Sequence, residues 1–237
     1  MKITALTDVG KMRANNEDVY SVLEDARVYI VCDGMGGHQA GEIAAQAATE
    51  DITAAIAEIE TLTADNFSDA IRSVLVNVNA KIMAMAAENE AYRNMGTTLV
   101  LAALSEPYLL VANVGDSRCY IVKDGKLVQV SKDHSLVAEL VKIGSISEAE
   151  AEKHPDRNII TSAIGVDESF EVFTDVVPLD GVSHILLCTD GLTNMLNPKR
   201  ILALLTEPPF EEAANALVNE ANDSGGQDNI TVVCIEL

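Results

Sequence analysis

Four aspartates stand beside glycine or asparagine at the margins of apolar runs: Asp33 in VYIVCDGMG, Asp116 in VANVGDSR, Asp190 in HILLCTDGL and Asp228 in GGQDNITVV. Two further acids, Glu17 and Asp18, close the segment RANNED just ahead of another apolar run. A single aspartate of this kind is ordinary turn chemistry, because its side chain bonds the local backbone readily. Four at like junctions are not. Carboxylates on rigid strand ends converge with little ordering cost, and their cluster would be strongly repulsive unless cations filled it. Oxygen donors without a neighbouring His or Cys set favour Mg²⁺ or Mn²⁺ over zinc. These residues point to a divalent-metal site.

The glycines that follow Asp33 suggest a competing chemistry, a loop that cradles phosphate. Gly36 and Gly41 have P-loop spacing, but Glu42 and Ile43 stand where that loop needs Lys and then Ser or Thr. A carboxylate at the lysine position would repel the ligand. The dinucleotide fingerprint GxGxxG fails as well, since Gln39 occupies its third glycine position.

Strands and helices must hold these acids in place. Strand-like runs occur at VYIVC, TTLVLAAL, YLLVANV, CYIVKDGKLVQVS, FEVFTDVVPL, HILLCTD and ITVVCIEL, and Asp124-Gly125 marks a tight hairpin within the fourth. Between the first two, Ala44, Ala47, Ala48, Ile52, Ala55, Ile56 and Ile59 recur at helical spacing, as do Phe67, Ile71, Val74, Leu75, Val78, Ile82 and Met85. Shorter helices are expected around 136–144, 147–153, 198–205 and 210–221. Strands joined by tight turns pair antiparallel, and helices gathered in blocks cover them. The expected class is α+β: two antiparallel sheets packed as a sandwich with helices on both outer faces.

Composition narrows the partners. The chain has 237 residues, 48% of them hydrophobic, with 16 basic against 37 acidic side chains and a net charge of −21. That balance disfavours nucleic acid and anionic membrane, whose recognition needs clustered Lys and Arg. No uninterrupted apolar run approaches the roughly 20 residues of a membrane helix. MKITALTDVG carries one lysine and an early aspartate with no long apolar stretch, so no secretory signal is expected and the cytoplasm is the expected compartment. Cysteines 32, 119, 188 and 234 each lie in an apolar stretch without CxxC spacing, which fits buried thiols rather than a zinc or disulfide framework.

RANNED, DGMGGHQAGE, GTT, VGDSR, KDHS, TDGL and GGQDN, in this order between residues 13 and 229, resemble the motifs of the metal-dependent protein serine/threonine phosphatases of type 2C, the PPM family, in its compact bacterial form. The resemblance implies one catalytic domain over residues 1–237, a four-layer αββα fold, and a flap segment at approximately 144–166. It implies that Asp33 bridges two core ions and that the Gly34 carbonyl ligates one of them. Asp190 and Asp228 would complete the first ion's shell, with Glu17 and Asp18 holding the second through water. Asp116 would share a third, weaker ion with Asp190. Arg13 matches the phosphate-binding arginine, while Arg118 reads as structural support paired with a buried carboxylate. The implied reaction is hydrolysis of phosphoserine and phosphothreonine in proteins by a metal-activated water, with no phosphoenzyme, opposing a serine/threonine kinase. Two alternatives stand beside it: a non-catalytic regulatory module of the same fold, against which the intact acid set argues, and a small-molecule phosphomonoesterase.

Two positions depart from the family pattern. Met35 stands where animal members carry the first histidine of DGHGG, a candidate acid for the leaving group, so His38 becomes the nearest replacement. NIITSAIG places Ser162 where many bacterial relatives have the arginine of TRALG, which unsettles any transfer of flap contacts.

Overall fold

The computed structural model describes residues 1–36, 40–151 and 153–237. Alternation along the strands is what builds its layers. Tyr29 and Val31 of β3 (Val28–Met35) face one side, and Val28, Ile30 and Cys32 face the other. The same period of two recurs in β11 (Ile230–Glu236), where Val233 and Ile235 turn away from Ile230, Val232 and Cys234.

One sheet holds β2 (Asp18–Leu23), β3, β5 (Leu99–Ser105), β6 (Tyr108–Val114) and β9 (Phe173–Pro178) in that order, with the two-residue β4 (Gly96–Thr97) paired to β3. The other runs β1 (Lys2–Asp8), β11, β10 (Val182–Cys188), β7 (Arg118–Lys123) and β8 (Lys126–Gln129). Every pairing between the named strands is antiparallel. Between the sheets lies an apolar layer that includes Tyr29, Val31, Val100, Val111, Ile121, Ile185, Leu187 and Val233.

Helices cover both outer faces. α1 (Ala40–Ala57) and α2 (Phe67–Glu88) pack on the first sheet, α1 through Ile52 and Ile56 and through Ala44, Ala45 and Ala48, whose small side chains allow close approach. α6 (Pro198–Thr206) and α7 (Ala213–Asp223) cover the second sheet together with the single turn α5 (Asp190–Thr193). α3 (Leu136–Lys142) and α4 (Glu148–Ala151) belong to the long segment between β8 and β9. This is the expected αββα sandwich.

Several details depart from expectation. β1 is absent from the strand-like runs because it is an edge strand without a fully buried face, so KITALTD shows no clean apolar alternation. The apolar-run criterion also passed over α2, which by length and composition is long and apolar enough to cross a membrane. Asp69, Arg72 and Lys81 interrupt its runs, and Phe67, Ile71, Leu75, Val78 and Ile82 bury its inner side against the sheet. The Asp124-Gly125 hairpin forms as expected, both residues at positive φ between the paired Lys123 and Lys126. All four cysteines are buried and free, and burial pushes the thiols of Cys32 and Cys188 up to about 12, which leaves no thiolate nucleophile.

Candidate active site

Asp18 opens β2 directly opposite Asp33, which lies within β3 rather than at its tip. The GTT segment pins Asp33 through its backbone. Its N–H donates to Thr98 Oγ1 at 3.0 Å, and its carbonyl accepts from the Thr98 amide and from Thr97 Oγ1, each at 2.9 Å. Thr98 Oγ1 in turn meets Ser117 Oγ at 2.7 Å, tying this strand to the turn that carries Asp116.

The glycine after each of two aspartates is required by contact. A Cβ at Gly34 would stand 2.2 Å from the Gly41 carbonyl oxygen and 2.6 Å from that of Glu17. At Gly191 it would stand 1.9 Å from the Asn229 carbonyl oxygen. Backbone lies against backbone at both junctions, so the acids from separate segments are drawn together where no side chain intervenes.

Asp18 is buried, and its Oδ2 accepts from Thr231 Oγ1 at 2.7 Å and Thr189 Oγ1 at 2.9 Å. Thr231 has one hydroxyl proton, given to Asp18, so Thr7 Oγ1 is the donor in their 2.7 Å contact and itself accepts from Asn16 Nδ2 at 2.8 Å. The hydrogen bonds run in one direction, toward the carboxylate. Replacing Thr231 by valine keeps the shape and removes that donor, and should cost about 1–3 kcal/mol in urea unfolding. A wild-type midpoint would show that Asp18 does not depend on it.

Asp190 is the first residue of α5, and its Oδ2 accepts from Asn194 Nδ2 at 2.9 Å. Asp228 lies two residues before β11, with its Oδ2 paired to Arg13 Nη2 at 2.7 Å. The Asn229 side chain receives the Glu17 amide and donates to the carbonyls of Val9 and Asn15, which fixes the loop bearing Arg13 and Glu17. Arg118 is indeed structural, but its partner is Asp133 of the KDHS loop, not Asp116: Nε and Nη2 reach that carboxylate at 2.9 and 2.6 Å, and Nη1 reaches the Tyr120 hydroxyl at 3.1 Å. His38 lies outside the described residues.

The acids feel one another. Burial raises Asp33 well above the ordinary carboxylate range, and Asp18, Asp190, Asp116 and Asp228 raise it further. Burial lifts Asp18 to about 7, opposed by the two threonine hydroxyls. It lifts Asp116 to about 8, with Asp190 the next cause, and Asp190 to about 6, with Asp228 next. Glu17 is raised by burial and held back by Arg13. The structure thus gathers Glu17, Asp18, Asp33, Asp116, Asp190, Asp228 and Arg13 into one electrostatic neighbourhood. The threonine hydroxyls at 189 and 231 and the Asn194 amide belong to it too; their residues lie in or beside the TDGL and DNIT segments, but only the fold shows where they point.

The donor set fits divalent cations. All side-chain candidates are carboxylate oxygens, and two buried ones, Asp18 Oδ1 and Asp190 Oδ1, have no hydrogen-bond partner among the described residues. An orphaned buried oxygen of this kind is costly unless a proton or a cation meets it. Among the described residues no three ligating side chains close on one point.

An αββα sandwich whose strand-end acids converge on one neighbourhood is the architecture of a metal-dependent hydrolase. Residues 11–231 match the family described as Protein phosphatase 2C. The serine/threonine phosphatase stp of Listeria monocytogenes serovar 1/2a is 40% identical over 235 residues, 97% of this chain and 93% of that protein. Protein phosphatase PhpP of Streptococcus pneumoniae is 38% identical, with 100% and 98% covered. Among solved structures, serine/threonine phosphatase Stp1 from Staphylococcus aureus superposes with a TM-score of 0.94 at 32% identity, covering 100% of this chain and 94% of that one. The S. agalactiae serine/threonine phosphatase gives 0.92 at 36%, covering 100% and 99%. The chain belongs to the protein phosphatase 2C family, the metal-dependent serine/threonine phosphatases, in its compact bacterial form.

Proposed function

We propose that this chain, as one catalytic domain over residues 1–237 with a flap at approximately 144–166, hydrolyses phosphoserine and phosphothreonine in proteins with two core Mg²⁺ or Mn²⁺ ions. Asp33, the Gly34 carbonyl, Asp190 and Asp228 would hold the first, Glu17 and Asp18 the second, and Asp116 with Asp190 a weaker third. The observation that carries this reading is the mutual elevation of the buried acids, with two oxygens left unpartnered. Bound there, such ions supply a water of lowered pKa as nucleophile and offset charge on the phosphoryl oxygens.

The chain's own residues supply alignment. Thr189 and Thr231 fix one face of Asp18, Asn194 orients Asp190, and Thr97 and Thr98 hold the Asp33 backbone. Arg13 is partly exposed and rests on Asp228. Its planar guanidinium has the geometry to receive a phosphate bidentately. His38 is proposed as the proton donor to the leaving alkoxide, since methionine at 35 offers no proton.

An acidic enzyme of this specificity belongs opposite a serine/threonine kinase in the cytoplasm, with no nucleic-acid or membrane partner. The test is release of phosphate from a phosphothreonine peptide and from a sugar phosphate, with Mn²⁺ and after EDTA. Metal-dependent turnover of the peptide far above the sugar phosphate is expected. Preference for the sugar phosphate, or undiminished release in EDTA, would overturn the reading.

A further inference from the structure

His134, in the KDHS loop of residues 132–135, takes no part in the chemistry proposed above. Its side chain is 1% exposed. Nδ1 accepts the Gly115 amide at 3.1 Å, and the His134 amide returns the bond to the Gly115 carbonyl at 2.9 Å. Acceptance at Nδ1 places the ring proton on Nε2 in the neutral form. Nε2 has no hydrogen-bond partner among the described residues, and the nearest carboxylate oxygen, Glu171 Oε1, lies 4.0 Å away.

The loop bridges two regions. On one side Asn113 grips it, donating to the Lys132 carbonyl at 2.7 Å and receiving the Lys132 amide at 3.0 Å. On the other, the His134 carbonyl receives the Thr161 amide at 2.8 Å, and Ser135 bridges to Ile160. Ser162, the departure from the family pattern, receives the Glu171 amide at 2.7 Å and returns its hydroxyl to the Glu171 carbonyl at 3.2 Å. Glu171 is thereby anchored to the flap by its backbone while its carboxylate faces the histidine. Gly115 is confined from the opposite side as well: it has φ +89°, and a Cβ there would stand 2.6 Å from Thr98 Cγ2.

We propose that His134 is a positioning residue which, by holding the Gly115 amide at Nδ1, sets the backbone of Asp116 and links it to the flap through the Thr161 and Glu171 contacts. The proposal rests on the assignment of Asp116 to the active site made above. Two near-isosteres separate the ring's nitrogens: asparagine keeps an acceptor near Nδ1, whereas glutamine carries its amide out to the Nε2 position. Residues that orient a metal site from behind are worth about 10–100-fold in activity.

The experiment compares His134→Gln, His134→Asn and Asp116→Asn by steady-state kinetics on a phosphothreonine peptide and by hydrogen exchange at the Gly115 amide. Expected are a kcat lowered about 10–100-fold with KM little changed in the glutamine variant, recovery of most of that loss by asparagine, and no further loss when His134→Gln is added to Asp116→Asn. The Gly115 amide should exchange slowly in wild type and the asparagine variant and quickly in the glutamine variant. Full turnover by Asp116→Asn overturns the assignment of Asp116. An impaired Asp116→Asn beside a wild-type His134→Gln, or equal losses in both histidine variants, overturns the positioning role alone. Should the glutamine variant fail to fold, an unprotected Gly115 amide in a folded His134→Asn protein also overturns it.

Discussion

Replacing Asp190 by asparagine is expected to abolish phosphopeptide turnover by several orders of magnitude while the protein remains folded. The substitution keeps the side chain's shape and can still receive the Asn194 amide, which reaches Oδ2 at 2.9 Å. It removes the charge through which a cation would be held, and with it the lowered water pKa and the charge compensation at phosphorus. Stability should move the other way. Burial and Asp228 raise the Asp190 pKa to about 6, above its unfolded value, so near pH 7.5 its ionised form opposes folding of the metal-stripped protein. The sign is therefore opposite to that of a salt-bridged aspartate. In EDTA at pH 7.5 the variant should melt higher than the parent. The gap should shrink toward pH 5, where the parent carboxylate takes up a proton in the folded state. Wild-type turnover would remove Asp190 from the metal site, and a variant that melts lower in EDTA would refute the burial cost of its carboxylate.

Gly191→Ala is expected to damage both fold and activity severely. Its Cβ would lie 1.9 Å from the Asn229 carbonyl oxygen, a backbone atom between Asp228 and β11 that no rotamer change can move. Overpacking costs roughly 1–3 kcal/mol and occasionally more; contact with main chain belongs at the upper end. The displacement also separates Asp190 from Asp228, so activity per folded molecule should fall together with the melting temperature. Gly125→Ala is the control. It adds the same methyl group at φ +72° with nothing within 4 Å, so it should cost a fraction of that stability and leave kcat unchanged. Equal activity losses in the two variants would refute this account of the Asp190–Asp228 junction.

The gathering of the acids was legible in the sequence because each stands at a junction of recognisable type. Asp33, Asp116, Asp190 and Asp228 each announce themselves beside glycine or asparagine after or before an apolar run, and the layers follow from where strands and helices fall. What escaped depends on direction rather than identity. Thr189 and Thr231 are unremarkable in sequence, and that both hydroxyls meet on Asp18 follows only from the packing of β2 in one sheet against the neighbourhood of β10 and β11 in the other. Arg118 stands two residues from Asp116 and fifteen from Asp133, and proximity along the chain favours the wrong partner. β1 carries too little buried surface to print a pattern, and the four-residue α5 is shorter than a helical period can reveal.

The place of β11 bears on how the enzyme comes into being. It lies between β1 and β10 in the five-stranded sheet, yet it is made after both, and Asp228 lies two residues before it. A ribosome-bound chain that has emerged only as far as residue 225 holds every other acid of the cluster, but its β1 and β10 face an empty slot. Pairing across more than 200 residues is slow by its topology, and two open strand edges are what a chaperone or a neighbouring nascent chain would capture. Insertion of β11 fills the slot and delivers Asp228 and Asn229 in the same movement.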